Sequence, residues 1–585
     1  MSVVGGQGSH TGWAGRCVVA GLAALVALPA SALAQDAGGL GGGSLGGGSL
    51  GGGGSLLDSG PPQPGDLGGS GLGGGTNPLQ SNASLRDRVA AALGLAQPPG
   101  GAGGPAISFT PAVTLQQSWT DNALNGPPPT QSAGITTLIP SLAVSVDTQR
   151  LVGSLTYSPS IIRYEPSLGQ DQIAQNLNGT LHATLLEETL FLDLNAFAGQ
   201  QTLAGGLGPA GTVAVNAAQA VQDYGFTATP YLMHRFGSFG VGELGGTLAE
   251  TAQTVPGGLA ITTLPGLPPQ YISNETTTST EEHIAFASGD AFGRWLSNAR
   301  VSLSQFTGTG VLGGSYSNVA SYEAGYAISH SLTLLGTIGW EAIHYGGVPP
   351  ININDMLWNV GAQWTPNPDS SITVRYGRSQ GITAAYVNAS YAPTARTQLT
   401  ANYSVALSTD QQQIAAATIS NPLNNPSSPA VGTPLAGSSL GPSTNFLGLL
   451  SGVYKLETAI VTASLLYDRD TFQATLNRTR QTPVNEIAAG QVAYASLGTF
   501  GTLSWQHDLS DALNLTLYGQ YGVLGQSTSG AAVNSDVLVV SAVANYAISP
   551  TLSLQFLVSR TESSMPAPFL GVTADLVTLG LTKSF

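Results

Sequence analysis

Two short strings and a few scattered side chains are the only places where this sequence offers chemistry. Gly240-Val241-Gly242-Glu243-Leu244-Gly245 matches the glycine pattern that cradles a dinucleotide pyrophosphate. That chemistry needs a strand before the string and a helix after it, so that the helix N-terminus can hold the anion. Here the string opens a strand just after the turn Phe236-Gly237-Ser238, so the required context is missing. Gly42-Gly43-Ser44-Leu45-Gly46 mimics a nucleophile elbow, but a flexible glycine repeat cannot hold a strained serine. Both strings are products of composition. The sequence predicts no enzyme, no catalytic residue, no cofactor and no metal site.

The remaining polar side chains read better as the lining of a channel. The seven histidines are scattered, and His507 falls beside Asp508 in an expected turn. His182 sits on the polar parity of a strand, between Thr180 and Thr184. Asp193 opposes Leu192 and Leu194, Glu323 opposes Tyr322 and Ala324, and Arg375 opposes Val374 and Tyr376. Side chains alternate sides along a strand, so these four share the polar face. Opposed acids and arginines across a pore make a transverse field that sorts polar solutes; the plain alternative is that they hydrate and brace the wall. Arg478, Arg480 and Arg560 take the apolar parity near strand ends, where guanidinium groups can pair with lipopolysaccharide phosphates.

The elements that would position them are strands of one barrel. Only 8% of the 585 residues are charged, against roughly 25% in soluble proteins. Acids outnumber bases 32 to 17, which argues against a nucleic-acid partner and suits a lumen mildly biased toward cations. Leu513, Leu515, Leu517, Tyr521 and Val523 share one face, with Asn514, Thr516, Tyr518 and Gln520 on the other. A soluble sandwich would place Lys and Glu outside; here the polar face carries Ser, Thr, Asn and Gln, as a protected hydrated lumen would. Brief turns at Asp147–Arg150, Phe236–Ser238, Pro366–Ser370, Ala392–Arg396, Asp468–Asp470, His507–Asp511 and Ser549-Pro550 alternate with loops near Leu203–Val215, Gln253–Tyr271, Gly346–Asn354 and Asp410–Asn445. That alternation predicts an all-β transmembrane antiparallel barrel over 107–585 with about 22 strands, in a range of ~16–22. Every short turn then falls on the side of both termini. Asp410–Asn445 is the loop expected to fold inward as a constriction. Trp295, Trp340, Trp364 and Trp505 are expected near strand ends, in aromatic girdles.

The ends of the chain set the compartment. Val18–Leu28 is apolar, Pro29 breaks it, and Ala32-Leu33-Ala34 is a small-x-small site, which predicts a signal peptide over 1–34. Cys17, the one cysteine, would leave with it. Residues 35–106 form a Gly/Pro-rich linker built partly on Gly-Gly-Gly-Ser-Leu repeats, with a short helix expected at Ser84–Leu93. This linker is too poor in apolar residues for a plug, and is expected in the periplasm with a periplasmic partner. The last strand places Val577, Leu579, Leu581 and Phe585 on one parity. A strand ending on an aromatic terminus resembles the signal read by the outer-membrane barrel-assembly machinery, here Leu579, Leu581 and Phe585.

Phe446–Lys455, running into Ala459–Tyr467, Asp468-Arg469-Asp470 and Thr471–Arg480, resembles the β-barrel porins that include the exosortase-associated outer-membrane proteins. The turn with Ser-Pro followed by Leu-x-Leu is similar too. The resemblance covers roughly Ile107–Phe585 and implies a bacterial outer-membrane barrel near polysaccharide secretion or general porin function, with no catalytic residue. The expected function is a passive porin-like channel or export pore for polar solutes or polysaccharide. The alternative is a non-conducting structural or assembly component of a surface-polysaccharide secretion system. Expected surroundings are outer-membrane lipid and lipopolysaccharide.

Overall fold

The alternation of apolar and polar residues produces strands throughout. The computed structural model describes residues 106–585 apart from 125–127, 149, 167, 169–170, 188, 203–219, 256–258, 263–269, 420–451, 486–493, 528–531 and 565–570. The expected signal peptide, the linker repeats and the helix at Ser84–Leu93 lie outside the described residues. The first strand, Ile107–Thr120, pairs on one side with the second, Ala133–Asp147, and on the other with the last, Val572–Ser584. The closing ladder runs from Ala112↔Ser584 to Thr120↔Leu576, and the Phe585 amide continues it by donating to the Pro111 carbonyl at 2.9 Å. Closure matters because each unpaired backbone group in hydrocarbon costs several kcal/mol.

The barrel has 22 antiparallel strands. Leu151–Tyr157 and Ser160–Glu165 both pair with the second strand and together form the third, interrupted at Pro159, which has no amide to donate. Gln172–Ala174 and Leu177–Leu186 together form the fourth. Each later strand pairs with its sequence neighbours around to the closing ladder. A separate hairpin, Leu259–Thr262 with Gln270–Ser273, rises from one loop.

Both termini of the barrel lie at one end, the turn end, and the long connections lie at the other, the loop end. At the turn end Tyr326–Ser329 leads to Leu332, and Tyr546–Ser549 to Leu552. Both hairpins carry the same register shift, Ala327/Ser329 in one and Ala547/Ser549 in the other, so the sequence likeness is a shared bulged turn.

Two details of the loop end differ from the sequence reading. Gln380-Gly381 is a two-residue turn on this side, so short turns are not confined to the other; φ is +53° and +68°, the left-handed pair a tight hairpin requires. Gly346–Asn354 is not a long loop either, because strand Ile351–Trp364 already begins at Ile351. Ile351 and Ile353 pack on a buried apolar cluster, which gives those residues a reason to be strand.

The outer face is an exposed apolar belt. Leu303, Leu334, Ile338, Val360, Val374, Val461, Leu476, Leu503, Leu579 and Leu581 are all exposed, and the residues beside Leu303, Val374, Leu476 and Leu503 on the opposite parity are Ser, Thr, Asn or Arg. Aromatic residues gather at the turn end, where Trp295 packs on Tyr326 at 4.9 Å and Phe472 stacks on Trp505 at 6.3 Å. Trp295 and Trp364 occupy strand ends as expected, but Trp340 and Trp505 each stand five residues inside strands Leu332–Tyr345 and Ala495–Ser510, with Trp340 donating to Asn354 Oδ1 at 2.7 Å. His507 also lies in a strand, Ala495–Ser510, and not in a turn. No described helix is long and apolar enough to cross a membrane. A closed barrel with an apolar outside, a polar inside and an aromatic girdle is a protein of the bacterial outer membrane.

Candidate functional site

The lumen wall divides by charge. From the fourth strand to the twelfth, Ile351–Trp364, and the thirteenth, Ser371–Ser379, the inward parity carries ionisable groups in cross-strand pairs. His182 and Asp193 are register partners on the fourth and fifth strands, and their Nδ1 and Oδ1 atoms are 2.6 Å apart. His283 Nε2 lies 2.9 Å from Glu243 Oε1, and Arg300 donates to Glu281 at 3.3 Å. The pair with most at stake is Glu323 with Arg375. Arg375 Nη1 donates to Glu323, to Asn359 Oδ1 at 3.2 Å and to Thr337 Oγ1 at 3.4 Å.

Burial decides which of these pairs matters. The side chains of Arg375 and Glu323 are 7% and 6% exposed, whereas His182 and Asp193 are 31% and 39% exposed. Water screens the second pair to roughly 0–1 kcal/mol. Removing one partner of the first leaves a buried charge and costs about 3–5 kcal/mol. The structure therefore brings together, two by two, the four residues singled out from sequence: His182 with Asp193, and Glu323 with Arg375.

The glycine string acquires a structural role. Gly240–Thr254 is a strand, and Gly245 faces His283 across the ladder. A Cβ on Gly245 would stand 2.6 Å from the His283 ring, so the missing side chain is what admits the histidine beside Glu243.

The second feature is the inward turn of the fifteenth strand, Thr397–Ser408. Beyond Tyr403 both parities become buried, from Val405 to Gln412. Leu407 joins Phe306, Val311, Leu312, Ile343, Tyr345 and Val453 in an apolar cluster inside the loop end. The helix Asp410–Ile419 follows at once. Thr409 and Gln412 cap it reciprocally: the Thr409 amide donates to Gln412 Oε1 at 3.1 Å, and the Gln412 amide to Thr409 Oγ1 at 3.2 Å. Gln411 donates to Glu275, Gln412 donates to the Tyr345 hydroxyl at 3.2 Å, and the Tyr454 hydroxyl donates to Asp410 at 2.8 Å.

These contacts cross the lumen. The helix leaves the fifteenth strand and packs against the fifth to eighth, Leu190–Thr202, Ala220–Arg235, Gly240–Thr254 and Glu275–Ser288. A round ring of 22 strands would have a bore of about 40 Å between backbones. Strands seven apart, like the eighth and the fifteenth, would face each other across about 34 Å of such a ring, yet only Thr409 and Asp410, about 10 Å of chain, and two side chains bridge Ser408 to Glu275. The loop end is therefore drawn in. Of the expected constriction loop, the helix is seen and 420–445 lies outside the described residues.

Sequence reasoning placed that loop but missed its helix and its anchors. The signal was present as Thr409-Asp410-Gln411-Gln412, a Ser/Thr-x-x-Glu/Gln capping box. Glu275, Tyr345 and Tyr454 carry no such signal, because their role depends on pairings distant in sequence.

On the outer face, Arg478 and Arg480 are exposed at the loop end, on the parity of Phe472 and Leu476. Arg560 is also outward, but Glu562 at 2.6 Å and Asp575 at 3.2 Å already hold its guanidinium. Leu579, Leu581 and Phe585 are exposed on one outer face, with Lys583 placing its ammonium 5.9 Å from the Phe585 ring. Among the described residues no cluster of His, Cys, Asp and Glu has the geometry to hold a metal.

No family model matches the chain, and no curated protein does. Among solved structures, it is similar to the apoprotein form of the FrpB iron transporter from Neisseria meningitidis, at 12% identity and a TM-score of 0.46, over 81% of each chain. The ferric-catecholate import receptor Fiu from E. coli K12 in its open form follows, at 12% identity and 0.45 over 82% of each. A mutant of the ferric enterobactin receptor PfeA from Pseudomonas aeruginosa gives 11% and 0.39, over 83% of this chain and 81% of that one. These scores are too low to carry an argument; the barrel stands on its own hydrogen bonds.

Proposed function

We propose that this barrel is a passive porin-like channel for polar solutes, narrowed at its loop end by the helix Asp410–Ile419 and biased toward cations by the carboxylates of one lumen arc. The observation that supports the reading most is the Gln411–Glu275 contact, which sets a constriction inside a wall of hydroxyls, amides and carboxylates. Asp193, Glu243, Glu281 and Glu323 outnumber Arg300 and Arg375 on that arc, so the local field favours positive solutes. His182, Asp193, Glu323 and Arg375 line the path and hold the wall.

Around the barrel, Arg478 and Arg480 contact lipopolysaccharide phosphates, and Arg560, already paired, contributes less. The barrel-assembly machinery reads Leu579, Leu581 and Phe585, and the linker reaches a periplasmic partner. The resemblance to exosortase-associated barrels favours a place beside polysaccharide secretion, which would make the pore an exporter. The drawn-in loop end favours a second reading, a non-conducting component of such a system. Planar-bilayer recording of refolded protein separates them: discrete openings support the channel, and silence from a correctly folded barrel contradicts it.

A further inference from the structure

Six consecutive strands, the thirteenth to the eighteenth, each present one inward polar atom with no hydrogen-bond partner in the protein. They are Arg375 Nη2, Tyr386 Oη, Asn402 Oδ1, Thr458 Oγ1, Gln481 Oε1 and Ser496 Oγ. Arg375, Asn402, Thr458, Gln481 and Ser496 are each more than nine-tenths buried. Five of them stand on the parity opposite the exposed Val374, Leu399, Val461, Leu476 and Leu503, and Tyr386 takes the same side through its register partner Arg375.

Register makes them neighbours. Arg375 faces Tyr386 directly, and Gln481 faces Ser496. Asn402 lies two residues below Ser404, which faces Thr458, and Thr458 faces Thr479, two residues below Gln481. Asn402 faces Asn388, two residues from Tyr386 toward the turn end, so the row dips there and then climbs toward the loop end at Thr458 and Gln481. Five interstrand spacings of ~4.8 Å make it about 24 Å long.

Buried polar atoms in a folded wall are almost always paired; Gln253 Nε2, Thr277 Oγ1, Ser317 Oγ and others elsewhere also lack a partner, and what points to a ligand here is the unbroken run over six adjacent strands. The chemistry of the row selects one class. It offers a cationic donor, three hydroxyls that donate or accept, and two amide oxygens that only accept. A phosphate or carboxylate also only accepts, so it would oppose Asn402 and Gln481 and approach Glu323. An ammonium only donates and would oppose Arg375. A hydroxyl donates and accepts, and can satisfy every atom in the row.

We infer that this row is a binding track for an uncharged, hydroxyl-rich solute such as a polyol or short glycan. The track deepens the channel reading, since it lies on the wall of the same lumen. Three of its atoms can be removed without breaking any protein hydrogen bond they make, in the variant Thr458→Val/Gln481→Leu/Ser496→Ala. Maltohexaose and a poly(ethylene glycol) of equal hydrodynamic size serve as probes, titrated calorimetrically into full-length protein folded in detergent.

The track predicts that the wild type binds maltohexaose, that the triple variant binds it at least tenfold more weakly, and that neither binds the glycol polymer. Normal heat-dependent gel mobility and unchanged potassium conductance would show that the variant is folded and open. No maltohexaose binding by the wild type, binding unchanged in the folded variant, or equal binding of the glycol polymer would overturn the inference and leave solvent as the partner of these atoms. Because binding is read in detergent, it decides this inference even for a barrel that never conducts, an outcome that sinks only the channel reading.

Discussion

One barrel wall is built in two ways. On the arc from His182 to Arg375 the inward positions hold carboxylates, histidines and arginines, joined across strands into pairs. On the arc from Asn477 round through the closure to Ser154, the same positions hold Thr479, Gln520, Ser541, Ser559, Thr578, Gln116 and Thr137. There the cross-strand contacts are between hydroxyls, as in Ser118 with Thr578 at 2.7 Å and Thr114 with Thr582 at 2.8 Å. Both arcs satisfy the alternation that makes a strand, so the difference cannot be about folding alone. A neutral pair loses about 1 kcal/mol when one partner goes; a buried ion pair loses several times more. The charged arc accepts that vulnerability and gains a field.

The two arcs differ most in cost at Glu323. Glu323→Leu leaves Arg375 buried without its carboxylate and should cost about 3–5 kcal/mol. That loss should appear as a lower temperature for the folded-to-unfolded gel shift. Thr578→Val, the matched change on the neutral arc, should cost ~1 kcal/mol, and the double change Glu323→Leu/Arg375→Leu should recover most of the loss. Equal costs on the two arcs would dissolve the distinction.

The next largest effect concerns the constriction. Gln411→Ala with Gln412→Ala removes the amides that reach Glu275 and Tyr345, so single-channel conductance should rise severalfold. Thr409→Ala should weaken the helix start by ~1 kcal/mol and make the openings noisier without widening them as much.

Charge neutralisation should act more gently. Glu281→Gln with Glu243→Gln should move the reversal potential in a salt gradient toward zero. The difference from wild type should fade in 1 M salt, where the screening length is ~3 Å. Smallest of all for transport is Phe585→Ala. It should lower the yield of inserted barrel while leaving the conductance of inserted molecules unchanged.

Much of this was legible along single strands. Parity alone placed His182, Asp193, Glu323 and Arg375 inside and Arg478, Arg480, Leu579, Leu581 and Phe585 outside, because a period of two is a local property. The count of 22 strands and the pairing of the last with the first followed from the alternation of turns and loops. What stayed hidden depends on contacts distant in sequence. Glu275 meets Gln411 only after strands eight and fifteen are drawn together, and His283 finds its space only because Gly245 stands opposite. His507 falls in a strand and not a turn because a bulge at Asp508/Ser510 and its contact with Asp470 carry the ladder past it, a boundary weakly marked in sequence.

A constricted, acid-biased lumen should conduct. The most direct test is single-channel recording of the refolded full-length chain in a potassium chloride gradient. Discrete openings are expected, with a reversal potential of the sign set by potassium. A folded barrel that stays silent, or one that opens with chloride preference, would contradict it.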